Sequence, residues 1–219
     1  MFFLEPLGDQ AVLAHFENED LAANFAQVVR RHARAWVIDV VQAYITVAVF
    51  FDAEQIRFAD AAAELKQIES GADKTEANPA LHHIPCCYDL ALDMERVTQH
   101  TGLARDEVIR CHTSTEYTVY AIGFCPGFPY LGYLPPALQG VPRLDAPRTR
   151  VEPGSVGMTG KQTGIYTEAR PGGWNIIGRT PLELVGVRDG YFPIRTGDRV
   201  VFHAIDESEY RTFLGKRLA

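Results

Sequence analysis

The sequence predicts an α+β fold in two domains, residues 1–80 and residues 81–219. Strand and helix patterns alternate in the first domain, whereas helical patterns almost end at Tyr117 in the second. The charge balance changes at the same boundary, since residues 1–80 carry 13 acidic and 6 basic side chains and residues 81–219 carry 15 of each. We predict that the polar stretch Ser70–Pro79, which ends in a turn-forming Asn-Pro, is the linker.

The first domain shows the order of a ferredoxin-like α/β sandwich. A strand over Ala11–Phe16 precedes a helix that begins near Glu19. Two runs of β-branched and aromatic residues, Trp36–Val41 and Tyr44–Phe51, are close enough to form a hairpin. A second helix is predicted from about Glu54 to Glu69. Apolar residues at helical spacing form the inward faces of the two helices: Leu21, Phe25, Val28 and Val29 in the first, and Phe58, Ala62, Leu65 and Ile68 in the second.

The second domain begins with a strand through Ile84 and continues with two short helices, over Leu92–His100 and from Arg105 to about His112. Short apolar runs then alternate with Gly and Pro at the spacing of strands and turns. These runs are Tyr117–Ile122, Trp174–Ile177, Leu182–Val187 and Arg199–His203. The pattern is typical of a β-barrel or a β-sandwich.

Composition excludes several classes of protein. No apolar run approaches the roughly 20 residues of a membrane helix, and the N-terminus lacks the basic flank and apolar core of a signal peptide. We therefore expect a cytoplasmic protein with no membrane partner. A net charge of −7 disfavours a nucleic-acid surface. The four cysteines form no CxxC pair, so we expect reduced thiols and no metal site.

An aromatic loop over Gly123–Gly132 is the first candidate functional segment. Pro126 and Gly127 suit the two corners of a type II turn, because proline restrains φ and glycine accepts a positive φ. Aromatic residues, among them Phe124, Phe128 and Tyr130, surround this turn. The loop is either a hairpin folded over the end of the β-domain or a rigid rim that contacts a substrate or a partner.

A basic segment over Arg143–Pro181 is the second candidate. Six basic residues oppose three acidic ones in an otherwise acidic chain. Arginine suits carboxylate and phosphate oxygens, although surface arginines commonly pair with nearby acids. Gly172 and Gly173 beside Trp174 permit close backbone approach, which fits a ligand site or a crowded barrel corner. His112 is the histidine that we place at the site, the alternative being a helix C-terminal histidine.

Two further motifs lack the residues or the spacing that their chemistry requires. Gly160-Lys161 resembles a phosphate loop, but Ser155 stands at the position of the first glycine and Gln162 replaces the Mg²⁺-binding Ser or Thr. The serine of Gly154-Ser155 lacks the spacing of a nucleophile elbow. We therefore predict no ATP site of the P-loop kind and no serine hydrolase activity in this chain.

Three segments carry a family resemblance. They are GFCPGFPYLGYLP (Gly123–Pro135), APRTRVEPGSVGMTGKQTGIY (Ala146–Tyr166) and PGGWNIIGRTP (Pro171–Pro181). They resemble the signature runs of the KipI family, also called allophanate hydrolase subunit 1, which includes the B subunit of bacterial ATP-dependent 5-oxoprolinase. The resemblance implies a small α/β domain followed by a cyclophilin-like β-barrel. It also implies work beside a KipA-like C subunit and a separate A subunit of the same enzyme.

The resemblance also implies a function. The expected reaction is the ATP-driven opening of 5-oxo-L-proline to L-glutamate by a complex in which this chain has no ATP site and no metal of its own. Arg148, Arg150 and Arg179 become candidates to hold the substrate carboxylate or its phosphorylated oxygen. The Gly123–Gly132 loop would form a rim at the contact with the C subunit. Two alternatives stay open: an inhibitor of a histidine kinase, and a component of a biotin-dependent urea carboxylase or allophanate system.

Overall fold

The computed structural model describes residues 2–32, 34–69 and 79–218. By its internal contacts the chain divides into two units, residues 1–78 and residues 79–219. Most of the predicted linker Ser70–Pro79 lies outside the described residues. The predicted boundary at residue 80 therefore stays a prediction about the protein in solution.

The first unit contains one antiparallel sheet with the strand order β1-β2-β4-β3. Its strands are β1 (Phe3–Pro6), β2 (Ala11–His15), β3 (Val37–Ala43) and β4 (Thr46–Phe51), and its helices are α1 (Glu19–His32) and α2 (Phe58–Glu69). Both helices pack on the sheet. The apolar residues between helices and sheet, among them Val12, Phe25, Val49 and Leu65, form the core of this unit.

Several predictions for the first unit are confirmed and some are wrong in detail. The β3–β4 hairpin is confirmed. Helix α2 begins at Phe58 rather than Glu54, because the carboxylate of Asp52 accepts the Glu54 N–H in a preceding turn (3.0 Å). Leu21 is 42% exposed, so the buried face of α1 begins instead with Ala22.

The ferredoxin-like order is not confirmed. Strand β1 lies beside β2 and was not predicted. The strand that follows α2 in the chain, β5 (Leu81–Cys87), pairs with strands of the second unit. A strand pattern specifies a strand but not its neighbour, so the predicted strand exists but pairs with β12 and β13 instead of a strand of the first unit.

The second unit is a closed, mixed barrel of seven strands. Its remaining elements are α3 (Met94–Thr101), α4 (Arg105–Thr113), β6 (Glu116–Ile122), β7 (Pro129–Gly132), β8 (Arg148–Val151), β9 (Ser155–Thr159), β10 (Gln162–Ile165), β11 (Arg170–Gly172), β12 (Asn175–Arg179), β13 (Arg199–Ile205) and α5 (Glu207–Phe213). The strand order is β6-β13-β5-β12-β9-β10-β7, and pairing of β7 with β6 closes the barrel. Strands β5 and β13 are parallel neighbours, whereas the other neighbours are antiparallel. The barrel, rather than the sandwich, is therefore the correct alternative; that it is cyclophilin-like stays an expectation.

The predicted elements of this unit are confirmed with one exception. The run Leu182–Val187 forms no strand and contributes only isolated bridges at Glu183 and Gly186. Strands β8 and β11 lie outside the barrel and pair with each other as a two-stranded ribbon. Among the residues described, no helix is long and apolar enough to cross a membrane.

Candidate functional site

The aromatic loop joins β6 to β7 through the predicted type II turn. Gly127 has a φ of +68°, and the Phe128 N–H donates to the Cys125 carbonyl at 3.1 Å. A side chain at Gly127 would run into Val185, so glycine is required here by both torsion and space. The turn brings Phe124 and Phe128 together, with ring centroids 5.4 Å apart.

The two candidate segments form one pocket of about 240 Å³. Six of the eight residues predicted for a substrate or partner surface line it: Phe124, Phe128, Tyr130, Gly172, Gly173 and Trp174. The other lining residues are Arg143, Pro147, Tyr166 and Pro171. The remaining two predicted residues, Pro126 and Gly127, do not line the pocket, and they shape the turn that presents Phe128.

The pocket walls are aromatic rings in edge-to-face contact. Phe128 lies 5.6 Å from Trp174 and 5.3 Å from Tyr166, with planes nearly perpendicular to both. Tyr130 lies 5.8 Å from Trp174. Edge-to-face pairs add stability beyond the area that they bury, about 0.5–1.5 kcal/mol each. The rings therefore hold one another in place before any ligand binds.

Glycine at position 172 leaves room for the phenol of Tyr166. A Cβ on Gly172 would overlap the Tyr166 hydroxyl, whereas a Cβ on Gly173 would meet Pro147 at an ordinary 3.5 Å. The Tyr166 hydroxyl is hydrogen-bonded to the Trp174 backbone, and burial raises the pKa of this phenol. Tyr166 is therefore a neutral wall residue.

Arg143 supplies the positive charge of the pocket. Its side chain is exposed and makes no ion pair with any carboxylate among residues 2–32, 34–69 and 79–218. Burial raises the pKa of Tyr130, and the Arg143 charge partly opposes that rise. The same charge acts on the pKa of Tyr166 in the same sense, and Arg143 lines the same pocket as both phenols.

The backbone around Arg143 is held by hydrogen bonds on both sides. The Asn175 side-chain amide donates to the Pro142 carbonyl at 2.9 Å, and the Leu144 N–H donates to the Gly173 carbonyl at 2.8 Å. Asn175 is fully buried and accepts a hydrogen bond from Arg96 at 3.0 Å. The pocket's cation therefore extends from a fixed backbone.

Arg148 makes the forked contact that the sequence suggested, but with a carboxylate of this chain. Its guanidinium group donates to both oxygens of Asp93, at 2.9 and 2.7 Å. The Asp93 side chain is 8% exposed and that of Arg148 is 28% exposed. The geometry therefore gives Arg148 a structural contact, and its predicted hold on a substrate anion stays a prediction without geometric support.

Arg150 and Arg179 lie apart from the pocket. Arg150 is exposed and pairs with Glu152 at 2.6 Å. Arg179 donates to the Pro153 carbonyl at 2.9 Å and lines a second pocket of about 260 Å³ with Tyr210 and Leu214. The three predicted arginines thus do not converge on one point.

His112 lies in the barrel core, fully buried. The Thr163 hydroxyl donates to the Gly157 carbonyl (3.0 Å) and so accepts from His112 Nε2 (3.1 Å), which leaves His112 Nδ1 to accept the Tyr88 hydroxyl proton (2.7 Å). Burial lowers the pKa of His112 from 6.5 to about 3. His112 is therefore uncharged, and its hydrogen bond to Thr163 connects α4 to the barrel wall, away from the protein surface.

The histidine and cysteine residues near residue 85 do not converge either. His82 is hydrogen-bonded to Asp198 at 2.9 Å, whereas His83 contacts His203 at 2.7 Å on an exposed surface. Cys86 is buried, and burial raises the pKa of its thiol. In the described part of the chain, no group of three or more His, Cys, Asp or Glu could hold a metal ion.

Comparison with known proteins places the chain in a family. Residues 2–189 match the family model described as carboxyltransferase domain, subdomain C and D. The chain belongs to this carboxyltransferase-domain family. It is 32% identical to the 5-oxoprolinase B subunit of Bacillus subtilis (strain 168), over 96% of this chain and 95% of that protein. It is 35% identical to the protein of the same name from Escherichia coli O157:H7, over 90% and 93% of the two chains.

A solved structure shares the fold of this carboxyltransferase-domain chain. The crystal structure of TTHA0988 in space group P212121 is similar with a TM-score of 0.79 and 31% identity. The similarity covers 90% of this chain, which spans only 40% of the length of that one.

Sequence reasoning missed three residues of the site in this family member. Arg143 was one of six basic residues in its segment. No local pattern in the sequence indicates that Arg143, unlike Arg148 and Arg150, makes no ion pair among the described residues. The sequence analysis did not select Asp93 or Asn175. Asp93 accepts the Ile176 N–H and Asn175 donates to the Pro142 carbonyl, so both bind the backbone near residues that line the pocket. A buried polar residue beside a run of glycines and aromatics is the signal that could have identified Asn175.

Proposed function

We propose that this chain is the B subunit of an ATP-dependent 5-oxoprolinase, which opens 5-oxo-L-proline to L-glutamate together with the A and C subunits. The observation that carries the proposal is the end-to-end similarity to two proteins named as 5-oxoprolinase B subunits. The KipI-type resemblance of the three motif segments supports the same assignment. A complex that consumes ATP belongs in the cytoplasm, which is the location we propose.

The chemistry of the reaction explains why ATP is needed. A lactam carbonyl is a poor electrophile because the amide nitrogen donates into it. Phosphorylation of its oxygen makes the carbonyl carbon a better electrophile, so water adds to it and the C–N bond breaks as the nitrogen takes up a proton. Hydrolysis of the resulting acyl phosphate then releases glutamate and inorganic phosphate. In this chain Gly160 and Lys161 form the turn between β9 and β10, and strand β10 follows them where a phosphate loop requires a helix. We therefore propose that ATP binds to one of the partner subunits.

A reconstitution experiment tests the proposal. The chain is purified alone and together with the A and C subunits from the same genome, and glutamate is measured after addition of 5-oxo-L-proline and ATP. We expect no glutamate from the chain alone and ATP-dependent glutamate from the three subunits. The Bacillus subtilis set of three subunits is the positive control. The proposal is wrong if the control complex is active and the complex containing this chain forms no glutamate.

The family description favours one alternative function. A carboxyltransferase domain moves a carboxyl group, so this chain could be a component of a biotin-dependent urea carboxylase. That function requires a biotin carrier. Carboxylation of urea by the chain, its partner subunits and a biotinylated carrier would support the alternative over lactam opening. A kinase-inhibitor function has no separate support in the geometry of the pocket.

A further inference from the structure

We propose that the pocket around Arg143 binds a small, flat carboxylic acid, whose ring packs against Trp174 and Tyr130 and whose carboxylate pairs with the Arg143 guanidinium group. This inference deepens the proposed function, and it rests on that function for the identity of the acid as 5-oxo-L-proline. The binding property itself is argued from the pocket alone.

Size limits the ligand. The pocket has a volume of about 240 Å³, whereas sites for drug-sized molecules measure roughly 300–1,000 Å³. A single five- or six-membered ring with one substituent fits, and a nucleotide does not. The aromatic walls at Phe128 and Trp174 stand nearly perpendicular to each other, so they offer both a ring face and a ring edge to a flat ligand.

Charge selects an anion. Arg143 is the only charged side chain among the ten residues that line the pocket, and none of the ten is acidic. Its guanidinium group has no carboxylate partner among the described residues, in contrast to Arg148 and Arg150. A planar, two-pronged donor matches a carboxylate. The pocket therefore favours a carboxylic acid over a neutral or cationic ligand of the same size.

A second polar group, the Tyr130 hydroxyl, lines the same pocket. The Tyr130 side chain is half-buried, and its hydroxyl has no hydrogen-bond partner within the part of the chain that the structure describes. Burial raises the pKa of this phenol, so the hydroxyl keeps its proton and can donate it. An acid that also carries a carbonyl oxygen would satisfy both free donors, one at Tyr130 and one at Arg143.

The site is organised before the ligand arrives. Hydrogen bonds through Asn175 and Gly173 hold the Arg143 segment, and the rings brace one another. A ligand therefore orders few groups when it binds, which lowers the entropic cost of binding.

Calorimetric titration of the full chain tests the inference with three ligands. They are 5-oxo-L-proline, cyclopentanecarboxylate (an acid without the lactam) and 2-pyrrolidinone (a lactam without the acid). We expect the two acids to bind at millimolar concentration or below, with 5-oxo-L-proline the tighter. We expect 2-pyrrolidinone to bind at least tenfold more weakly. In a Trp36→Phe variant, Trp174 is the remaining tryptophan, and its fluorescence should change with the acids.

Variants separate the pocket from the rest of the surface. Arg143→Ala should weaken binding of the acids roughly ten- to a hundredfold, the loss expected for a charge-assisted contact. Arg188→Ala is the matched control, because Arg188 is likewise exposed and without an ion-pair partner among the described residues, but lies outside the pocket. Melting temperatures close to that of the wild type would show that both variants are folded.

Three results would overturn the inference: equal affinity for 2-pyrrolidinone and 5-oxo-L-proline, unchanged binding by Arg143→Ala, or no binding of any of the three ligands at millimolar concentration. These failures are distinct from failure of the proposed function. Acid binding that needs Arg143, in a chain that supports no glutamate formation by the A and C subunits, would uphold the pocket and refute the function. An active complex whose activity and acid binding survive Arg143→Ala would support the proposed function and refute the proposed pocket.

Discussion

Arg148 and Asp93 form a two-pronged ion pair that connects three segments of the second unit. Asp93, which precedes α3, also accepts the Ile176 N–H of β12 at 2.7 Å. Arg148 begins β8, and β8 pairs with β11, which contributes Pro171 and Gly172 to the pocket wall. The ion pair therefore fixes the ribbon that forms one side of the pocket, although Arg148 itself does not line it.

Replacement of Arg148 should destabilise the protein. Arg148→Ala leaves the nearly buried Asp93 without its partner, and loss of a charge-assisted contact costs about 1.5–3 kcal/mol. Arg148→Lys should lose much of the same amount, because an ammonium group cannot reproduce the fork. Urea unfolding with a constant slope measures the difference in free energy of unfolding.

The neighbouring pair provides the control for Arg148. Arg150→Ala removes an exposed contact with Glu152 and should cost less than about 1 kcal/mol. Equal unfolding midpoints for the Arg148 and Arg150 variants would contradict a structural function of the Arg148–Asp93 pair. A normal unfolding midpoint together with lost enzyme activity in Arg148→Lys would support the prediction that Arg148 binds the substrate.

Alanine at two adjacent glycines should have different effects on stability. Gly172→Ala places a methyl group on the Tyr166 hydroxyl, so we expect displacement of the ring and a loss of about 1–3 kcal/mol. Gly173→Ala meets Pro147 at ordinary contact distance and should change stability by no more than about 0.5 kcal/mol. Thermal melts and near-UV circular dichroism measure both. A tolerated Gly172→Ala with an unchanged aromatic spectrum would show that the pocket wall is adaptable.

Burial of neutral His112 predicts a pH dependence of stability. Its pKa falls from 6.5 to about 3 on folding, so between these values the unfolded chain binds a proton that the folded chain cannot. The free energy of unfolding should therefore be greatest above pH 6.5 and decrease as the pH falls toward 3, by at most about 1.4 kcal/mol per pH unit from this residue.

The His112→Gln variant isolates that contribution. It cannot titrate, so its unfolding free energy should depend less steeply on pH between 6.5 and 4, even if its absolute stability is lower. His100→Gln is the control, because it removes an exposed imidazole instead of a buried one. The prediction fails if the slope of His112→Gln equals that of the wild type.

Limited proteolysis tests the boundary between the domains. The composition of Ser70–Pro79 is polar and contains few residues that could anchor a core, so initial cleavage is expected between Gly71 and Ala80. Mass spectrometry should detect a resistant fragment that begins near residue 80 and contains every barrel strand. Initial cleavage within Arg143–Pro181 would contradict the boundary.

Local sequence determined the features whose physical cause is local. Proline and glycine torsions specified the turn at Pro126-Gly127. Apolar spacing specified α1, and β-branched and aromatic runs specified the β3–β4 hairpin, each within a few residues. Six residues of the aromatic and glycine-rich segments line one pocket, and their function as a substrate or partner surface stays a prediction. In each of these cases the interactions that decide the conformation lie within a few positions along the chain.

Only the tertiary structure decided the pairings between charges and strands that are distant in the sequence. Arg148 meets Asp93 across 55 positions, and β5 meets β13 across more than 100, so no local pattern could identify either partner. Arg148 and Arg143 look alike in the sequence, yet the fold supplies a distant carboxylate to the first and leaves the second beside an aromatic pocket. Whether an arginine or a histidine is available to a ligand depends on its non-local neighbours and its burial. The sequence by itself therefore determined several of the elements and the candidate segments, whereas the packing of distant segments determined which side chains meet at the pocket.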